Sequence, residues 1–204
     1  MLIRIFAAAA LVLAAAAVCL GQAKTPDLGG SWRLVEADGA KIGAKSVFAG
    51  VTLKITQSAA AVTIEKTKTR PTAAPVTETF TFYADGRGET NAKTPLEYRP
   101  VFRSPVSLPP VYPDQIGSKT VWDDRRLVTR YEKITAFVNK NTVFVTARDE
   151  WSLSDDGQKL ILKSSAVTED NDGSIGQAGQ SAFNESAGSN VRMTRFVYVF
   201  EKSN

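Results

Sequence analysis

The residues that most enzymes use for nucleophilic and acid–base chemistry are almost absent from this chain of 204 residues. It contains no histidine and a single cysteine, Cys19. Ser-His and Cys-His nucleophile pairs, a histidine base and histidine metal ligands are therefore excluded. No serine lies in a Gly-x-Ser-x-Gly elbow, and no Gly-Lys-Ser/Thr phosphate loop occurs. We expect no catalytic residue, no metal site and no cofactor.

Carboxylates are the remaining groups that could do chemistry, and Asp149 is the most interesting of them. It shares one face of a predicted strand with Val145 and Trp151. If that face lines a barrel, Asp149 is a buried acid of the kind found at functional sites. Alternatively, it forms a structural ion pair or lies near the rim at a strand end. An enzyme would have to work with such carboxylates alone, so we expect a non-enzymatic protein.

Aromatic residues are the other candidates for a binding site. In a small closed barrel they either fill the core or line a pocket for one small ligand, and both possibilities stay open. A small hydrophobic or amphipathic molecule would be held by burial of apolar surface, worth about 25 cal/mol per Å² before ordering costs. Asp149 or Tyr131 would orient it. The predicted ligand-binding residues are Phe80, Phe82, Tyr131, Asp149 and Trp151.

The elements that would position these residues are strands, because the hydrophobic period is two almost throughout. Val51–Gln57 and Ala61–Thr67 alternate apolar and polar residues on either side of a short connection. The segment Gly39–Gly50 is the best place for a short helix or an irregular link. The other predicted strands are Val76–Tyr83, Lys119–Asp123, Arg126–Ile134, Asn141–Ser154, Lys159–Val167 and Val191–Glu201.

Roughly nine short strands joined by tight turns predict an all-β fold with an antiparallel up-and-down meander. A meander of this length has to hide its edges, so closure into a barrel is the simplest architecture. A two-sheet β-sandwich is the alternative. Because strands continue on both sides of every long connection, residues 24–204 are predicted to form one domain.

Two long segments interrupt the strand pattern. Residues 94–117 contain six prolines, too many for a central strand. Residues 169–190 are rich in Gly, Ser and Asn and are predicted to form a mobile loop. The Pro-rich segment suggests an alternative function, in which Phe102, Val111 and Tyr112 anchor a protein partner.

The first 23 residues have the pattern of a secretory signal peptide. Arg4 supplies the positive charge, an Ala- and Leu-rich apolar run follows, and Gly21 and Ala23 are the small residues of a cleavage site. The apolar run is shorter than the ~20 residues that a membrane-spanning helix needs. We therefore expect a periplasmic or secreted protein that has no membrane span after cleavage.

Cleavage after Ala23 leaves 204 − 23 = 181 residues and removes Cys19. Lipidation of Cys19 is a further possibility, although the β-branched Val18 before it fits a lipobox poorly. The formal net charge of the whole chain is +4 at pH 7. This small excess gives little support to nucleic-acid binding, so we expect no nucleic-acid partner.

The start of the first mature strand carries a family resemblance. Gly30-Ser31-Trp32 resembles the Gly-x-Trp signature of lipocalins and related calycin barrels, and Glu150–Leu160 carries the Trp-x-Leu, Asp-Gly and Leu pattern of exported bacterial lipocalin-like proteins of unassigned function. The resemblance implies that Trp32 plugs the closed end of a barrel and packs near an arginine of the last strand, either Arg192 or Arg195. The Thr-Asp-Tyr motif of strict lipocalins is missing, so the chain is lipocalin-like.

Overall fold

A computed structural model describes most of residues 25–203. The predicted signal peptide, Cys19 and the three docking anchors Phe102, Val111 and Tyr112 lie outside the described residues. The backbone of Arg192 is described, but its side chain is not. The described residues are 25–44, 46, 49–70, 72–95, 113–138, 141–170 and 191–203.

Strands make up the regular secondary structure of these residues, and their pairing is antiparallel throughout. There are twelve strands: β1 Gly30–Ala37, β2 Ala40–Lys41, β3 Val51–Gln57, β4 Ala61–Arg70, β5 Ala73–Tyr83, β6 Glu89–Asn91, β7 Ile116–Asp123, β8 Arg126–Tyr131, β9 Ile134–Val138, β10 Asn141–Leu153, β11 Lys159–Asp170 and β12 Val191–Lys202. The alternation of apolar and polar residues seen in the sequence explains these strands, since successive side chains point to opposite faces.

The strands form one sheet that is nearly closed into a barrel. Its path is β5-β4-β3-β1-β12-β11-β10-β8-β7-β6, with β2 paired to β1 and β9 paired to β10. Apart from those two short strands, neighbours in the sheet are neighbours in the sequence except where β1 pairs with β12. The two ends of the path, β5 and β6, are consecutive in the chain and joined by residues 84–88, so the sheet curls back on itself there. The predicted all-β fold and its antiparallel up-and-down meander are confirmed.

The seam between β5 and β6 is joined by side chains. The Asn91 side-chain amide pairs with Thr81 as a strand backbone would: the Thr81 N–H donates to Asn91 Oδ1 at 2.9 Å, and Asn91 Nδ2 donates to the Thr81 carbonyl at 3.0 Å. The Tyr83 N–H donates to Glu89 Oε2 at 3.1 Å. Asn91 and Glu89 are both buried. Two side chains of the three-residue strand β6 thus complete the barrel wall.

Glu89 also ties the seam to the next strand. Its Oε1 accepts hydrogen bonds from the Ser118 hydroxyl at 2.6 Å and from the Thr120 hydroxyl at 2.7 Å. The turn before β6 adds a contact, because the Gly86 N–H donates to the Thr120 carbonyl at 2.9 Å. One buried carboxylate therefore links β5, β6 and β7.

The core changes character along the barrel axis. At the end where β1 begins, called the Trp32 end below, a large cluster includes Trp32, Trp151, Phe80, Phe82 and Phe200, all at most 2% exposed. A smaller cluster lies toward the opposite end, and its members have smaller side chains on average. They are Ile116, Tyr131, Ile134, Val145, Ala147 and Ala166.

Some element boundaries differ from the sequence prediction. The single strand predicted over Arg126–Ile134 is split between β8 and β9, and the short strand β6 was not predicted. Two strands extend into the predicted irregular segments, since β7 begins at Ile116 and β11 continues to Asp170. Val76 shares a face with Phe80 but is 60% exposed, because it lies near the β4–β5 turn beyond the packed core.

Substitution of Asn91 by Ala should destabilise the fold through the seam. It removes both hydrogen bonds to Thr81 and leaves backbone groups at a partly buried position unpaired, so we expect a loss of about 2–3 kcal/mol. Urea unfolding followed by circular dichroism measures this change. The matched control is Thr90→Ala on the same strand, whose side chain is exposed and should change stability by less than ~0.5 kcal/mol. Equal effects of the two substitutions would contradict the seam's role.

Candidate functional site

A row of buried polar side chains crosses the inner face of the sheet. Thr120 is the register partner of Thr129, Thr129 of Asp149, and Asp149 of Ser164. All four are at most 4% exposed. Register partners place their side chains on the same face, so these residues form a continuous line over β7, β8, β10 and β11. We call these four residues the polar row.

Asp149 is the acidic member of the polar row. It is 1% exposed and lies within β10, four residues before the strand ends at Leu153. The Tyr131 hydroxyl donates to its Oδ2 at 2.8 Å, and the Ser164 hydroxyl donates to its Oδ1 at 2.6 Å. Hydrogen bonds of this kind offset part of the cost of burying a carboxylate. Asp149 is therefore a buried acid within the strand and not a residue at the rim.

Tyr198 adds a second phenol to the same inner face. Burial raises the pKa of its hydroxyl, and the negative charges of Asp38 and Asp149 raise it further. The phenol therefore stays protonated at physiological pH. Its register partner is Leu162, two residues before Ser164 on β11, so Tyr198 lies next to the polar row.

Trp151 lies two residues beyond Asp149 on the same inner face and is fully buried. Its ring centroid is 6.1 Å from that of Phe200. Its indole Nε1 has no hydrogen-bond partner, whereas the buried indole of Trp32 donates to the Leu28 carbonyl at 3.0 Å. A buried donor without an acceptor costs about 1–3 kcal/mol. The Trp151 N–H is thus a position where an acceptor atom would be stabilised.

The structure brings together only part of the predicted ligand-binding set. Tyr131 and Asp149 are hydrogen-bonded, and Trp151 is adjacent along β10. Phe80 and Phe82 lie on β5, on the other side of the seam, and pack in the same large core cluster as Trp151.

Small side chains border the polar row on the side away from the Trp32 end. Ala147 and Ala166 are register partners on β10 and β11, and both are buried. Ser118 on β7 is also buried, and it is the register partner of Tyr131 on β8. Short side chains thus stand beside Tyr131 and the Ile and Val residues of the smaller cluster, in contrast to the aromatic packing at the Trp32 end.

At the Trp32 end, the cation above the indole of Trp32 comes from Lys202. Its Nζ is 5.6 Å from the ring centroid, and Lys202 is the register partner of Trp32 on the last strand. Arg195 lies on β12 seven residues before Lys202. It is exposed, and its register partner is Ser165 on β11. The backbone of Arg192 pairs with Thr168, farther still from Trp32. The last strand thus supplies a lysine at the place where the resemblance implied an arginine.

A second charged group that the sequence analysis missed lies on β4 and β5. Lys66 is 7% exposed, and its Nζ is 2.6 Å from Glu78 Oε2, while Lys93 Nζ is 2.9 Å from Glu78 Oε1. Burial tends to raise the pKa of Glu78, but the hydrogen bonds and positive charges of Lys66 and Lys93 outweigh it and hold that pKa below its usual value. Lys66 follows Val62 and Ile64 on the inward positions of β4, a signal that was visible in the sequence.

A surface groove also lies in the described part of the chain. A groove of about 240 Å³ at the Trp32 end is lined by Pro26, Arg125, Asp155 and neighbouring residues, none of them a predicted site residue. Within the described ranges no group of three potential metal ligands occurs. Among the same residues no helix is long and apolar enough to cross a membrane.

Because comparison with known proteins gives no match, the protein is classified by its fold alone. No protein-family model matches the chain, and no curated protein resembles it at a significant level. The sheet path and the seam define an antiparallel up-and-down β-sheet that is nearly closed into a barrel. That architecture is consistent with a lipocalin-like barrel.

The ion pair of Glu78 predicts a stability that depends on pH. Because the folded pKa of Glu78 lies below the ordinary value of 4.5, its contribution is present above pH 4.5 and is lost as the pH falls through the folded pKa. Glu78→Gln should lower the free energy of unfolding by about 1.5–3 kcal/mol at pH 7. Thermal unfolding from pH 7 down to pH 3 should show the difference from the wild type shrinking.

The control for this experiment is Glu65→Gln on the outer face. Glu65 is half exposed, and its Oε2 is 3.8 Å from Lys54 Nζ, so the substitution should change stability by less than ~1 kcal/mol. A difference between wild type and Glu78→Gln that stays constant from pH 7 to pH 3 would contradict the assignment.

Proposed function

We propose that the protein is an exported, non-enzymatic, lipocalin-like barrel that binds one small apolar or amphipathic molecule in its interior. The observation that carries the proposal is the contrast between the two halves of the inner surface. Bulky aromatic residues pack the Trp32 end, whereas the interior around and beyond the polar row has Ala, Ser and Thr side chains among a few larger ones, chiefly Ile, Val and Tyr131. A bound molecule would supply the apolar volume that short side chains lack.

The number of strands supports this proposal. The interior of a barrel widens as strands are added, and about eight strands already give one just wide enough to be filled by side chains or to hold one small ligand. The path of the present sheet has ten strands. Alanine and serine at Ala147, Ala166 and Ser164 are poorly suited to fill a wider interior.

The polar row supplies the directional contacts that a ligand site needs. Such sites are mostly apolar, with a few polar groups fixed in place. Tyr131 and Ser164 hold the Asp149 carboxylate in one orientation through hydrogen bonds of 2.8 and 2.6 Å. Phe80 and Phe82 then act as packing residues of the core, while Tyr131, Asp149 and Trp151 form the binding side.

The lipocalin-like family and the export are parts of the same proposal. Gly30-Ser31-Trp32 and the contact of Lys202 with the Trp32 ring support the family. The pattern of residues 1–23 supports export. The alternative, a docking loop anchored by Phe102, Val111 and Tyr112, rests on residues outside the described ranges and stays a prediction.

Export predicts a defined mature chain. When the full-length sequence is expressed in a bacterial host, we expect the protein in the periplasmic fraction with an intact mass that begins at Lys24. A chain that keeps residues 1–23 and stays in the cytoplasmic fraction would contradict export. A mass increase from lipid at Cys19 would instead indicate an anchored protein.

Enlarging Ala147 separates a ligand-binding interior from a filled core. In a spacious interior, Ala147→Leu should leave the thermal midpoint unchanged or higher and should weaken the binding of Nile red, a neutral apolar dye, because the leucine occupies the ligand's volume. In a filled core the same change overpacks the interior and costs about 1–3 kcal/mol. Fluorescence titration and thermal unfolding measure the two effects.

The matched control is Ala74→Leu, at an exposed position of β5. It should change neither the binding of Nile red nor the thermal midpoint. A destabilised Ala147→Leu protein, or one that binds the dye as the wild type does, would count against the proposed function.

A further inference from the structure

We infer that the outer face of β10, β11 and β12 binds the surface of a membrane that contains anionic lipids. This inference concerns the outside of the barrel and does not depend on a ligand in the interior. It starts from a line of register partners that crosses five neighbouring strands, β7, β8, β10, β11 and β12. Four of its five members are basic and are called the basic row below: Lys119, Arg130, Arg148 and, beyond Ser165, Arg195.

The basic row lies on the outside of the wall. Arg148 stands between Ala147 and Asp149 on β10, which are buried in the interior, so its own side chain points outward. Lys119, Arg130 and Arg148 are register partners on three consecutive strands of the sheet path. Like charges directly opposite each other destabilise a sheet. An anionic partner on this face would relieve that repulsion.

Acidic residues neutralise this face only in part. Glu150 lies next to the basic row, and its carboxylate is shared between Arg148 and Arg126 at 3.0 and 2.9 Å. Glu132 and Glu169 lie farther along the strands, away from the Trp32 end. In the described part of the chain, four exposed cations of this face form no ion pair: Lys119, Arg130, Lys163 and Arg195. Their positive charge is therefore available to a partner.

Exposed apolar side chains stand among these cations. Met193, Arg195 and Val197 occupy successive outer positions of β12, and Lys163 is the register partner of Val197. Met193 is 56% exposed and Val197 is 38% exposed. The third large hydrophobic side chain that is exposed among the described residues is Val76, on β5. Two of the three thus lie beside a cation of the same face.

A lipid surface suits both kinds of side chain. Apolar side chains enter the boundary between headgroups and acyl chains, while lysine and arginine are attracted to anionic headgroups. A soluble polyanion would neutralise the basic row but would leave Met193 and Val197 in water. The combination of cations with exposed apolar residues therefore favours a membrane.

The curvature of the wall places the contact on β10–β12. The sheet path has ten strands, so a flat membrane touches only a few neighbouring strands of the nearly closed barrel. Both exposed apolar residues of this face are on β12. Neighbouring strands are about 4.8 Å apart, which puts Arg148 on β10 about 10 Å from β12 and within the same contact. Lys119 and Arg130 add attraction from the side.

The first test is flotation of residues 24–204 with lipid vesicles. One set of vesicles is phosphatidylcholine alone, and the other is an equimolar mixture of phosphatidylcholine and phosphatidylglycerol. We expect binding to the anionic vesicles to be about tenfold tighter or more, and to weaken as salt is added, because salt screens exposed charges. Equal binding to the two sets would overturn the inference.

A charge variant tests the face itself. Lys163→Gln combined with Arg195→Gln should weaken binding to the anionic vesicles by about fivefold per charge, or about 25-fold together. The control, Lys54→Gln combined with Arg70→Gln, removes the same charge from exposed positions of β3 and β4 and should have a much smaller effect. Equal losses would indicate attraction by net charge alone and would contradict a defined face.

An apolar variant tests for contact with the lipid. Met193→Ser combined with Val197→Thr keeps every charge and should weaken binding to the anionic vesicles about tenfold, because less apolar surface is buried. The control is Val76→Ser, which changes the exposed residue on β5 and should have no effect. Circular dichroism checks that all variants fold. Unchanged binding by the Met193→Ser, Val197→Thr protein would contradict insertion.

Inorganic polyphosphate distinguishes a soluble polyanion from a membrane. If it binds as tightly as the anionic vesicles, and if the apolar variant binds both as the wild type does, the partner is a soluble polyanion and the inference is overturned. Binding of Nile red without vesicles reports on the interior separately. The charge variant should leave it unchanged, so the membrane contact and the proposed function can fail independently.

Discussion

The closure of the sheet at the β5–β6 seam is the constraint on which the rest of the structure depends. A sheet that curls must give its two edge strands partners, and here the side chains of Asn91 and Glu89 take the place of a backbone ladder. Glu89 also accepts from Ser118 and Thr120, and the Thr120 and Thr129 hydroxyls are 2.9 Å apart. The seam is therefore continuous with the polar row, and the interior position of Asp149 follows from the same closure.

The polar row gives the interior two regions with different properties. Aromatic and aliphatic packing at the Trp32 end stabilises the barrel without directional contacts, whereas the row requires specific partners because buried polar groups are costly when unpaired. A shift of one residue in any of its strands would turn these side chains outward. The hydroxyl and carboxylate contacts thus fix the strand register as well as the geometry offered to a ligand, so one set of residues serves stability and proposed binding together.

Much of the fold could be predicted because it depends on local alternation. The period of two placed Trp151, Phe80 and Phe82 on inward faces, and all three are buried. Contacts set by the pairing of distant strands could not be predicted in this way. Tyr131 and Asp149 were both identified, but their hydrogen bond depends on the register of β8 against β10. The seam was missed for a related reason, since β6 is too short to show a period, and the lysine beside Trp32 depends on the pairing of β1 with β12.

The pairing of the first strand with the last also orders the events of folding. Trp32 lies opposite Lys202, 202 − 32 = 170 residues later in the chain, so β1 has a free edge until the C-terminal strand has been synthesised. Contacts of such long range slow folding, since a large loop must close before they form. A chain that leaves the ribosome N-terminus first can assemble its hairpins early, but it completes the barrel only once β12 has been synthesised.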